Sequence, residues 1–594
     1  MPHAGPARPT RRGFLRTMGL GAAALAAPRA FAADRPRPKR PNVVLVITDD
    51  QGYGDLGCHG NKVIRTPNLD RLHGQSVRLT NFHVGPTCSP TRASLMTGRY
   101  CNRTGVWHTI MGRSLLRKDE VTLADVFAGA GYRTGHFGKW HLGDNYPFSP
   151  RYRGFQVVMK HGGGGVGNAP DFWGNDYFDD TYEHNGKCVR HRGYCTDVWF
   201  DGALRFIADS VKSGKPFFCY LPTNAPHGPF RVPPKYAEPY RGHPDVPHPN
   251  FYGMIANIDE NVGRLMKRLD ALGVARDTIL IFMTDNGTAG GWRRGKGFNA
   301  GMRGMKGSEY DGGHRVPFFL RWPGGGIRAG GVDRITAHVD ILPTLAALCG
   351  IAPPKGVPLD GVSLVPLLTG RPADWPDRAL ITDSQRVEHP VKWRKSAVMT
   401  DRWRLVNGRE LYDMKADPGQ KANLAAAHPK VVERLRGEYE TWWAGVSKRF
   451  GEYCETIIGS PREDPVRLSS HDWHGAGANR AWHQAHVRQG SRANGFWAVE
   501  VARPGMYEIA LRRWPRGVDR PLREKFLAVT KARLKIANVD ETAAVAADAK
   551  EVTFRVKLAA GKTRLQTWFL GEKGKSCGAY YVYASYAGRK GDER

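Results

Sequence analysis

Four short apolar segments, each ending abruptly in polar side chains, constrain the fold of this chain more than any other feature. In chain order, PNVVLVIT runs into Asp49 and Asp50, GYRTGHFG into Lys139 and His141, KPFFCYL into PTNAPHGP with His227, and DTILIFMT into Asp285 and Asn286. Such runs, separated by helical patterns like TLADVFAGAG and NVGRLMKRLDALG, are typical of buried parallel strands with crossover helices. Because an open α/β sheet binds ligands beyond the carboxyl ends of its strands, we expect these polar groups to meet at one site.

The length of 594 residues predicts two or three domains. We assign the main α/β domain, with a large, mixed and mostly parallel sheet flanked by helices, to residues 41–350. From residue 351 to 450 the pattern indicates a smaller α+β subdomain, with an antiparallel sheet closed by the helix PKVVERLRGEYETWW. Residues 455–594 contain alternating strands such as GFWAVEVA, GMYEIALRRW and EVTFRVKLAAGKTRLQTWFL, which predict an all-β, sandwich-like accessory domain.

The N-terminal segment resembles a twin-arginine export signal. Arg11 and Arg12 precede a short apolar run that ends in the small-residue pattern Ala30, Phe31, Ala32. This predicts a signal peptide over residues 1–32 and a basic linker over 33–40. The apolar run is too short to span a bilayer. We therefore expect an exported protein, periplasmic or extracellular, that uses the twin-arginine machinery and has no membrane span.

The charge balance favours polyanionic partners. Lysine and arginine number 88 against 56 acidic residues, a formal net charge of +32. No basic run with interleaved aromatic residues indicates nucleic acid, so an acidic or sulfated glycan is the preferred partner. The nine cysteines are scattered without a CxxC pair, which does not resemble a disulfide framework, although Cys188 and Cys195 are placed to pair.

The stretch TCSPTRASLMTGRY predicts a helix with a cysteine at its start. Ser89 is a suitable N-cap, Pro90 suits the first turn, and Gly98 is placed to end the helix. Cys88 would lie at the positive end of the helix dipole, with Arg92 one turn along. This position suits an anionic nucleophile or substrate, and a buried, inert thiol is the alternative.

Oxygen ligands and cations collect at the expected site. Two strand ends supply four hard oxygen ligands of the kind that Ca²⁺ or Mg²⁺ prefers, from Asp49, Asp50, Asp285 and Asn286. Taken singly, each pair also fits an ordinary turn. Around them we expect a set of cationic and imidazole groups, namely Arg92, Lys139, His141, His227 and, from GMRGMKGSEYDGGHRVPF, Lys306. So many cations beside one metal indicate a tetrahedral oxyanion substrate.

These motifs resemble the type I, formylglycine-dependent sulfatases of the alkaline phosphatase superfamily. CSPTRASLMTGR matches their C-x-P-x-R signature with its T-G-R ending, and ITDDQGYGDLG, GKWHLG, NAPHGPF, MTDNG and RGMKGSEYDGGHRVP match the other blocks in order. The resemblance spans residues 41–450 and implies an arylsulfatase-like hydrolase with an alkaline phosphatase-like fold. Its implied substrate is a sulfated carbohydrate or an aryl sulfate.

The resemblance also implies the cofactors and the residue roles. A formylglycine-generating or maturase enzyme would convert Cys88 to formylglycine. Calcium, in preference to magnesium, would be bound by Asp49, Asp50, the modified Cys88, Asp285 and Asn286. Arg92 and Lys139 would hold the formylglycine, His141 would serve its hydroxyl, and His227 and Lys306 would contact the sulfate.

Several other stretches remain open. HGGGGVGNAPDFWGNDYF lacks the GK[ST] of a phosphate loop and is interpreted as an active-site loop. His108, His161 and His314 are candidate substrate contacts, with an ordinary structural role equally open. The alternatives for function are a phosphodiesterase or phosphonate monoester hydrolase on the same fold, and a secreted polyanion-binding protein with a vestigial site.

Overall fold

The computed structural model describes residues 40–371, 375–523 and 527–588. The predicted signal peptide and all but the last residue of the basic linker lie outside these ranges. Among the described residues, no helix combines the length and apolarity needed to cross a membrane. All nine cysteines fall within the described ranges, and all are free thiols, including Cys188 and Cys195.

A mixed sheet, ten-stranded within the described residues, forms the centre of the N-terminal part. The first fourteen strands of the chain, which include this sheet and two small strand pairs, are β1 (Asn42–Thr48), β2 (Val77–Leu79), β3 (Phe82–His83), β4 (Arg133–Gly138), β5 (Val157–Lys160), β6 (Thr181–His184), β7 (Lys187–Arg190), β8 (Phe217–Pro222), β9 (Thr278–Thr284), β10 (Trp292–Arg293), β11 (Lys296–Gly297), β12 (Phe318–Arg321), β13 (Gly330–Val332) and β14 (Thr336–Ala337). The spatial order in the sheet is β13, β2, β12, β9, β1, β8, β4, β5, β6, β7.

The four predicted strands are consecutive neighbours in this sheet. They stand in the order β9, β1, β8, β4, and each pairing between them is parallel. The side chains of β1 are apolar on both faces because both faces are covered: Val43 and Leu45 belong to one core, whereas Val44 and Val46 belong to the other. The predicted parallel centre of the sheet is therefore confirmed, and the antiparallel pairings of the sheet join β12 to β9, β12 to β2, β5 to β6 and β6 to β7.

Helices cover the two faces of the sheet. They are α1 (Pro67–Gly74), α2 (Cys88–Thr97), α3 (Leu123–Gly129), α4 (Cys195–Lys212), α5 (Pro234–Ala237), α6 (Pro249–Ala271), α7 (Asp311–His314), α8 (Ile341–Leu348), α9 (Val365–Leu368), α10 (Pro429–Val446) and α11 (Gln484–Gln489). The helices α2, α3 and α8 pack into the core on one face, and α1, α4 and α6 pack into the core on the other. The predicted helix NVGRLMKRLDALG is the C-terminal half of the longer α6.

A small antiparallel sheet follows, as predicted. It consists of β15 (Leu380–Asp383), β16 (Ser396–Met399), β17 (Trp403–Val406) and β18 (Glu410–Asp413), paired in chain order. Leu435 and Tyr439 of α10 pack against Val398 and Leu405 of this sheet. The sheet begins at residue 380, after a stretch that contains α9.

Two antiparallel-rich sheets form a sandwich at the C-terminal end. Its strands are β19 (Thr456–Ile458), β20 (Val466–Ser469), β21 (Phe496–Val501), β22 (Gly505–Arg512), β23 (Val529–Ile536), β24 (Val539–Ala544), β25 (Glu551–Leu558), β26 (Gly561–Gly571), β27 (Ser576–Cys577) and β28 (Tyr581–Gly588). One sheet has the order β19, β21, β26, β23, β24, with β27 on β26, and the other has the order β20, β28, β22, β25. Trp497 and Leu565 of the first sheet share one core with Ile509 and Val582 of the second. We refer to residues 455–588 as the C-terminal sandwich.

Candidate active site

The carboxyl ends of β1, β4, β8 and β9 meet at one edge of the sheet. Beyond these strands, the amide of Asp285 donates to the carbonyl of Thr48 at 3.0 Å, and the amide of Lys139 donates to the carbonyl of Pro222 at 2.7 Å. The amide of Asp49 likewise donates to the carbonyl of Ala225 at 3.2 Å. The backbone thus ties the polar segments to one another directly after the strands end.

Helix α2 brings Cys88 to this edge. Cys88 is its first residue, Thr87 is the N-cap, and Gly98 ends the helix in the left-handed region with φ 67°. The prediction of Ser89 as the N-cap is wrong, because the Ser89 hydroxyl donates to the carbonyl of His141 at 2.9 Å. That bond fixes the start of the helix against the loop after β4. The Cys88 side chain is only 2% exposed.

A set of buried oxygen atoms surrounds Cys88. Ligand atoms of Asp49, Cys88 and Asp285 all lie within 4.8 Å of one another. Oδ1 of Asp49 and Oδ1 of Asn286 are buried without a hydrogen-bond partner. Because a buried, unsatisfied polar atom costs roughly 1–3 kcal/mol, such atoms in a native site call for a ligand. The donor set of carboxylate and amide oxygens fits a hard divalent cation.

Asp50 occupies a strained position in the same cluster. Its backbone adopts φ 67°, which is uncommon for a residue other than glycine and typical of functional sites. Lys306 Nζ lies 2.6 Å from Oδ1 and 2.7 Å from Oδ2 of Asp50, and the Asn286 amide donates to Oδ1 at 3.0 Å. Burial alone would raise the pKa of Asp50, but Lys306 and the other nearby cations hold that pKa well below its ordinary value.

Three predicted cations contact the carboxylates. Arg92 and Asp285 form a fully buried ion pair at 2.8 Å, and Lys139 pairs with Asp49, also without exposure. Lys306 completes the set through Asp50. Burial, and after it the nearby Asp49 carboxylate, raises the pKa of Asp285 to about 7. Burial also raises the pKa of the Cys88 thiol, which is therefore a poor nucleophile as a thiol.

The two predicted catalytic histidines each present one free ring nitrogen. His141 has φ 63°, and its Nε2 donates to the carbonyl of Thr109 at 2.8 Å, whereas its Nδ1 is buried without a partner. His227 donates from Nδ1 to the carbonyl of Gly228 at 2.7 Å, which leaves Nε2 3.7 Å from Oδ2 of Asp50. Burial, reinforced by Lys139, lowers the pKa of His141 well below its ordinary value. A neutral imidazole with its donor nitrogen already fixed is suited to accept a proton.

A small cavity of about 120 Å³ opens onto these groups. It is lined by Cys88, Thr109, Ile110, His141, Gly164, Asn168, His227, Lys306, Arg386 and Trp482. The glycine-rich loop, residues 161–175, packs directly on the histidines, since a Cβ on Gly164 would lie 2.1 Å from Cε1 and Nε2 of His141. The structure thus places this predicted active-site loop against the predicted catalytic residues.

The remaining candidate histidines lie at different distances from the cavity. His108 adjoins it, with Nδ1 accepting from the amides of Thr109 at 2.7 Å and Ile110 at 3.2 Å. His161, at the base of the glycine-rich loop, is buried and donates to the carbonyl of Gly162 at 2.9 Å. The structure does not bring His314 to the cavity, because its Nδ1 meets Nδ1 of His83 at 3.0 Å in a separate buried cluster with Asp311.

Six cavity residues were not individually named as candidates from the sequence: Thr109, Ile110, Gly164, Asn168, Arg386 and Trp482. Asn168 belongs to the glycine-rich loop, which was itself a usable signal. Thr109 acts through its carbonyl group, a contact that side-chain chemistry does not reveal. Arg386 and Trp482 come from the two C-terminal parts of the chain, and no local pattern distinguishes them from their neighbours.

Family models match most of the chain up to the C-terminal sandwich. The model described as Sulfatase matches residues 41–351, and the model described as N-sulphoglucosamine sulphohydrolase, C-terminal, matches residues 305–441. Both matches end before residue 455. They therefore include the predicted metal ligands and cations but exclude Trp482.

Relatives and solved structures agree with these models. The chain is 32% identical to arylsulfatase A from Homo sapiens, over 68% of this chain and 88% of that protein. It is 30% identical to N-acetylgalactosamine-6-O-sulfatase from Bacteroides thetaiotaomicron, over 67% of this chain and 92% of that protein. The crystal structure of Ps i-CgsB in complex with k-i-k-neocarrahexaose is similar with a TM-score of 0.63 and 27% identity, over 70% of this chain and 95% of that one.

Proposed function

The chain belongs to the sulfatase family and is a sulfuric ester hydrolase, and from this premise we propose that it removes sulfate from a sulfated carbohydrate through a formylglycine derived from Cys88 and a bound calcium ion. The observation that carries this proposal is the meeting of Cys88 with two buried carboxylates and three cations at one sheet edge. A tetrahedral dianion or monoanion is the substrate group that such a set of charges stabilises.

The proposed substrate class rests on the relatives. N-acetylgalactosamine-6-O-sulfatase acts on a sulfated amino sugar by its name, and Ps i-CgsB was crystallised with a neocarrahexaose. The net charge of +32 is consistent with an anionic glycan. A small aryl sulfate is expected to serve as a convenient second substrate.

Calcium fits the donor set of this chain. Asp49, Asp50, Asp285 and Asn286 would hold the ion together with residue 88, and the unpartnered oxygens of Asp49 and Asn286 support this assignment. When bound, the ion supplies positive charge beside the sulfate oxygens, and a hydrated aldehyde at position 88 supplies two hydroxyl groups on one carbon.

The other residues act as charges and proton carriers. Arg92 and Lys139, both fully buried, orient residue 88 and stabilise negative charge next to it. We assign proton removal from the second hydroxyl of residue 88 to Nδ1 of His141, because that nitrogen is free and Nε2 is fixed by Thr109. We assign contact with the sulfate to His227 and Lys306, which lie side by side against Asp50. Proton delivery to the leaving alcohol falls to His227 in its imidazolium form, in which Nε2 carries a proton while Nδ1 still donates to Gly228.

A comparison of ester classes and a mass measurement test the proposal together. The protein is made in a host with a formylglycine-generating or maturase enzyme, and the peptide that contains residue 88 is analysed by mass spectrometry. We expect an aldehyde in active protein, and no turnover by Cys88→Ala or Cys88→Ser. Active protein with only a thiol at position 88 would contradict the mechanism. Faster turnover of phosphonate monoesters or phosphodiesters than of any sulfate ester would contradict the substrate class.

We further propose export by the twin-arginine route. The support is the sequence of residues 1–32, with its arginine pair and small-residue cleavage pattern. Cell fractionation and N-terminal sequencing of the mature protein test this location, with Ala33 as the expected first residue. Cytoplasmic protein that retains residue 1 would contradict it.

A further inference from the structure

The C-terminal sandwich forms hydrogen bonds with the glycine-rich loop that covers the catalytic histidines. The amide of Ala169 donates to the carbonyl of Trp482 at 2.9 Å, and the amide of Gln484 donates to the carbonyl of Gly167 at 2.9 Å. The Tyr581 hydroxyl adds a hydrogen bond to the carbonyl of Ala169 at 3.0 Å. These bonds join two segments more than 300 residues apart into one structural unit.

The same sandwich holds the other wall of the cavity. Ile110 and Met111 are buried in the core of the sandwich, and the amide of Met111 donates to the carbonyl of His471 at 2.9 Å. Ile110 and the neighbouring Thr109, whose carbonyl orients His141, both line the cavity. The sandwich therefore contacts both segments that position the histidine.

One aromatic residue of the sandwich lines the cavity itself. Trp482 is half-buried and lines the cavity together with Cys88 and Lys306. The imidazole rings of His483 and His486 contact the indole ring in edge-to-face geometry, with distances between ring centroids of 5.4 Å and 5.3 Å. A tryptophan held in this way offers a rigid apolar face beside the polar catalytic groups.

Arg386 lies at the same cavity with an exposed side chain. Its backbone has φ 43°, a strained conformation for arginine, and is fixed by a hydrogen bond from its amide to the carbonyl of Trp107 at 3.2 Å. Among the described residues, its guanidinium has no carboxylate partner. Arg92, by contrast, is fully buried and paired with Asp285. The charge of Arg386 is therefore available to a ligand.

We infer that the C-terminal sandwich completes the active site by building a sugar-binding subsite. In this subsite Trp482 packs against one face of the sugar ring, and that ring carries the sulfate ester. Arg386 binds a second anionic group, a sulfate or a carboxylate, on the same saccharide. The inference rests on the proposed function, since it specifies the substrate of that same site. Trp482 and Arg386 are specificity residues here, separate from the groups that act on the sulfate.

The first test uses Trp482→Ala, Trp482→Phe and the control Trp568→Ala, which removes a partly buried tryptophan of the same sandwich that does not line the cavity. The wild type is first assayed on 4-nitrophenyl sulfate and on a panel of sulfated hexosamines and disaccharides. We expect Trp482→Ala to raise KM about tenfold for the best sugar substrate, and Trp482→Phe to restore most of the loss. The inhibition constant of inorganic sulfate, which occupies only the sulfate position, should change less than twofold.

The second test uses Arg386→Gln on two saccharides that differ by one anionic group, N-acetylgalactosamine 6-sulfate and its 4,6-disulfate, or the equivalent pair for the best sugar. We expect KM to rise about tenfold for the doubly charged member and less than twofold for the other. Arg205→Gln, which changes an exposed arginine on α4, is the matched control and should alter neither.

The outcomes separate this inference from the proposed function. Equal loss of sugar turnover and sulfate inhibition in Trp482→Ala would show a purely structural role and overturn the subsite. Unchanged sugar kinetics, or equal effects of Arg386→Gln on both saccharides, would also overturn it. A wild type that cleaves aryl sulfate but no sulfated sugar would refute the subsite and leave the hydrolase intact. Failure to release sulfate from any ester would refute the proposed function itself.

Discussion

At the scale of single residues, Gly164 sets how closely the glycine-rich loop approaches His141. A methyl group at this position would lie 2.1 Å from the imidazole, so the loop or the ring must shift. We expect Gly164→Ala to lower kcat/KM for an aryl sulfate about 10²-fold, because a catalytic group displaced by about 1 Å loses that much. Gly437→Ala in α10, where a methyl group meets nothing within 4 Å, should leave activity unchanged. Wild-type activity in Gly164→Ala would refute the tight packing.

The second prediction concerns the buried ion pair between Asp285 and Arg92. Asp285→Asn keeps the shape of the side chain but removes the negative charge of a proposed calcium ligand that is also the buried partner of Arg92. We expect the variant to lose measurable turnover and bound calcium. Elemental analysis of the purified protein measures the calcium content. Asp311→Asn is the control, since Asp311 forms a comparable buried pair with Arg404 at 3.0 Å outside the site. It should destabilise the protein without lowering its calcium content, and equal calcium loss in both variants would contradict the assignment.

Sequence reasoning located the polar groups that follow the strands but not every group that surrounds them. Asp49, Lys139 and Asp285 each directly follow a buried strand, so the topology alone brings them together. Trp482 carries no comparable local signal, because its position depends on how a remote sandwich docks. Ser89 was misassigned since a side-chain hydroxyl suits both an N-cap and a tertiary hydrogen bond, and the tertiary bond to His141 prevailed.

At the scale of elements, the central strands were predictable for a physical reason. β1, β8 and β9 are buried along almost their whole length, so their sequences are continuously apolar. β12 has the same apolar character but pairs antiparallel with β9, a direction that the pattern of side chains does not encode. Strand direction depends on the connections, and these include short elements with weak sequence signals.

The third prediction concerns Gln484 of helix α11, which contacts the glycine-rich loop. Its buried amide donates to the carbonyls of Asn168 at 3.2 Å, Asp171 at 3.4 Å and Phe172 at 3.1 Å. Gln484→Ala leaves these carbonyls without their donor, at a cost of roughly 1–3 kcal/mol. We expect faster hydrogen exchange in residues 161–175 and about a tenfold loss of kcat/KM.

The control for this prediction lies on the same helix. Gln489 is the last residue of α11 and is exposed, so Gln489→Ala should change neither exchange nor activity. Unaltered exchange of the glycine-rich loop in Gln484→Ala would show that the sandwich does not restrain it.

At the scale of the whole molecule, the net charge of +32 makes a fourth prediction. If the charge gathers polyanions, salt should weaken their association, because charges farther apart than about 8 Å are screened at physiological ionic strength. We expect rising salt to increase KM for a long sulfated polysaccharide much more than KM for a small aryl sulfate, with little change in kcat for either. Steady-state kinetics at several salt concentrations measure this. A polysaccharide KM that is indifferent to salt would remove charge as a reason for the glycan assignment.

The fifth prediction concerns the dependence of the catalytic part on the sandwich. Ile110 and Met111 belong to the apolar core of the sandwich, and Ile110 also lines the cavity. A chain ending at residue 455 should therefore lose activity toward every sulfate ester, with a lower unfolding temperature or reduced solubility. Full aryl sulfate turnover by that shortened chain would show that the two parts work separately.

The burial of Cys88 limits when residue 88 is accessible to a modifying enzyme during protein synthesis. Its side chain is 2% exposed, and Lys306, which helps to enclose its cavity, follows it in the chain by 218 residues. At about 5–20 residues per second, the ribosome needs roughly 10 to 45 s to add that segment. The proposed conversion of residue 88 to formylglycine must therefore take place before this segment folds over it, or on a chain that is kept unfolded afterwards. Expression that outpaces the modifying enzyme should thus yield folded protein with a permanent thiol, so the active fraction should fall as the rate of synthesis rises.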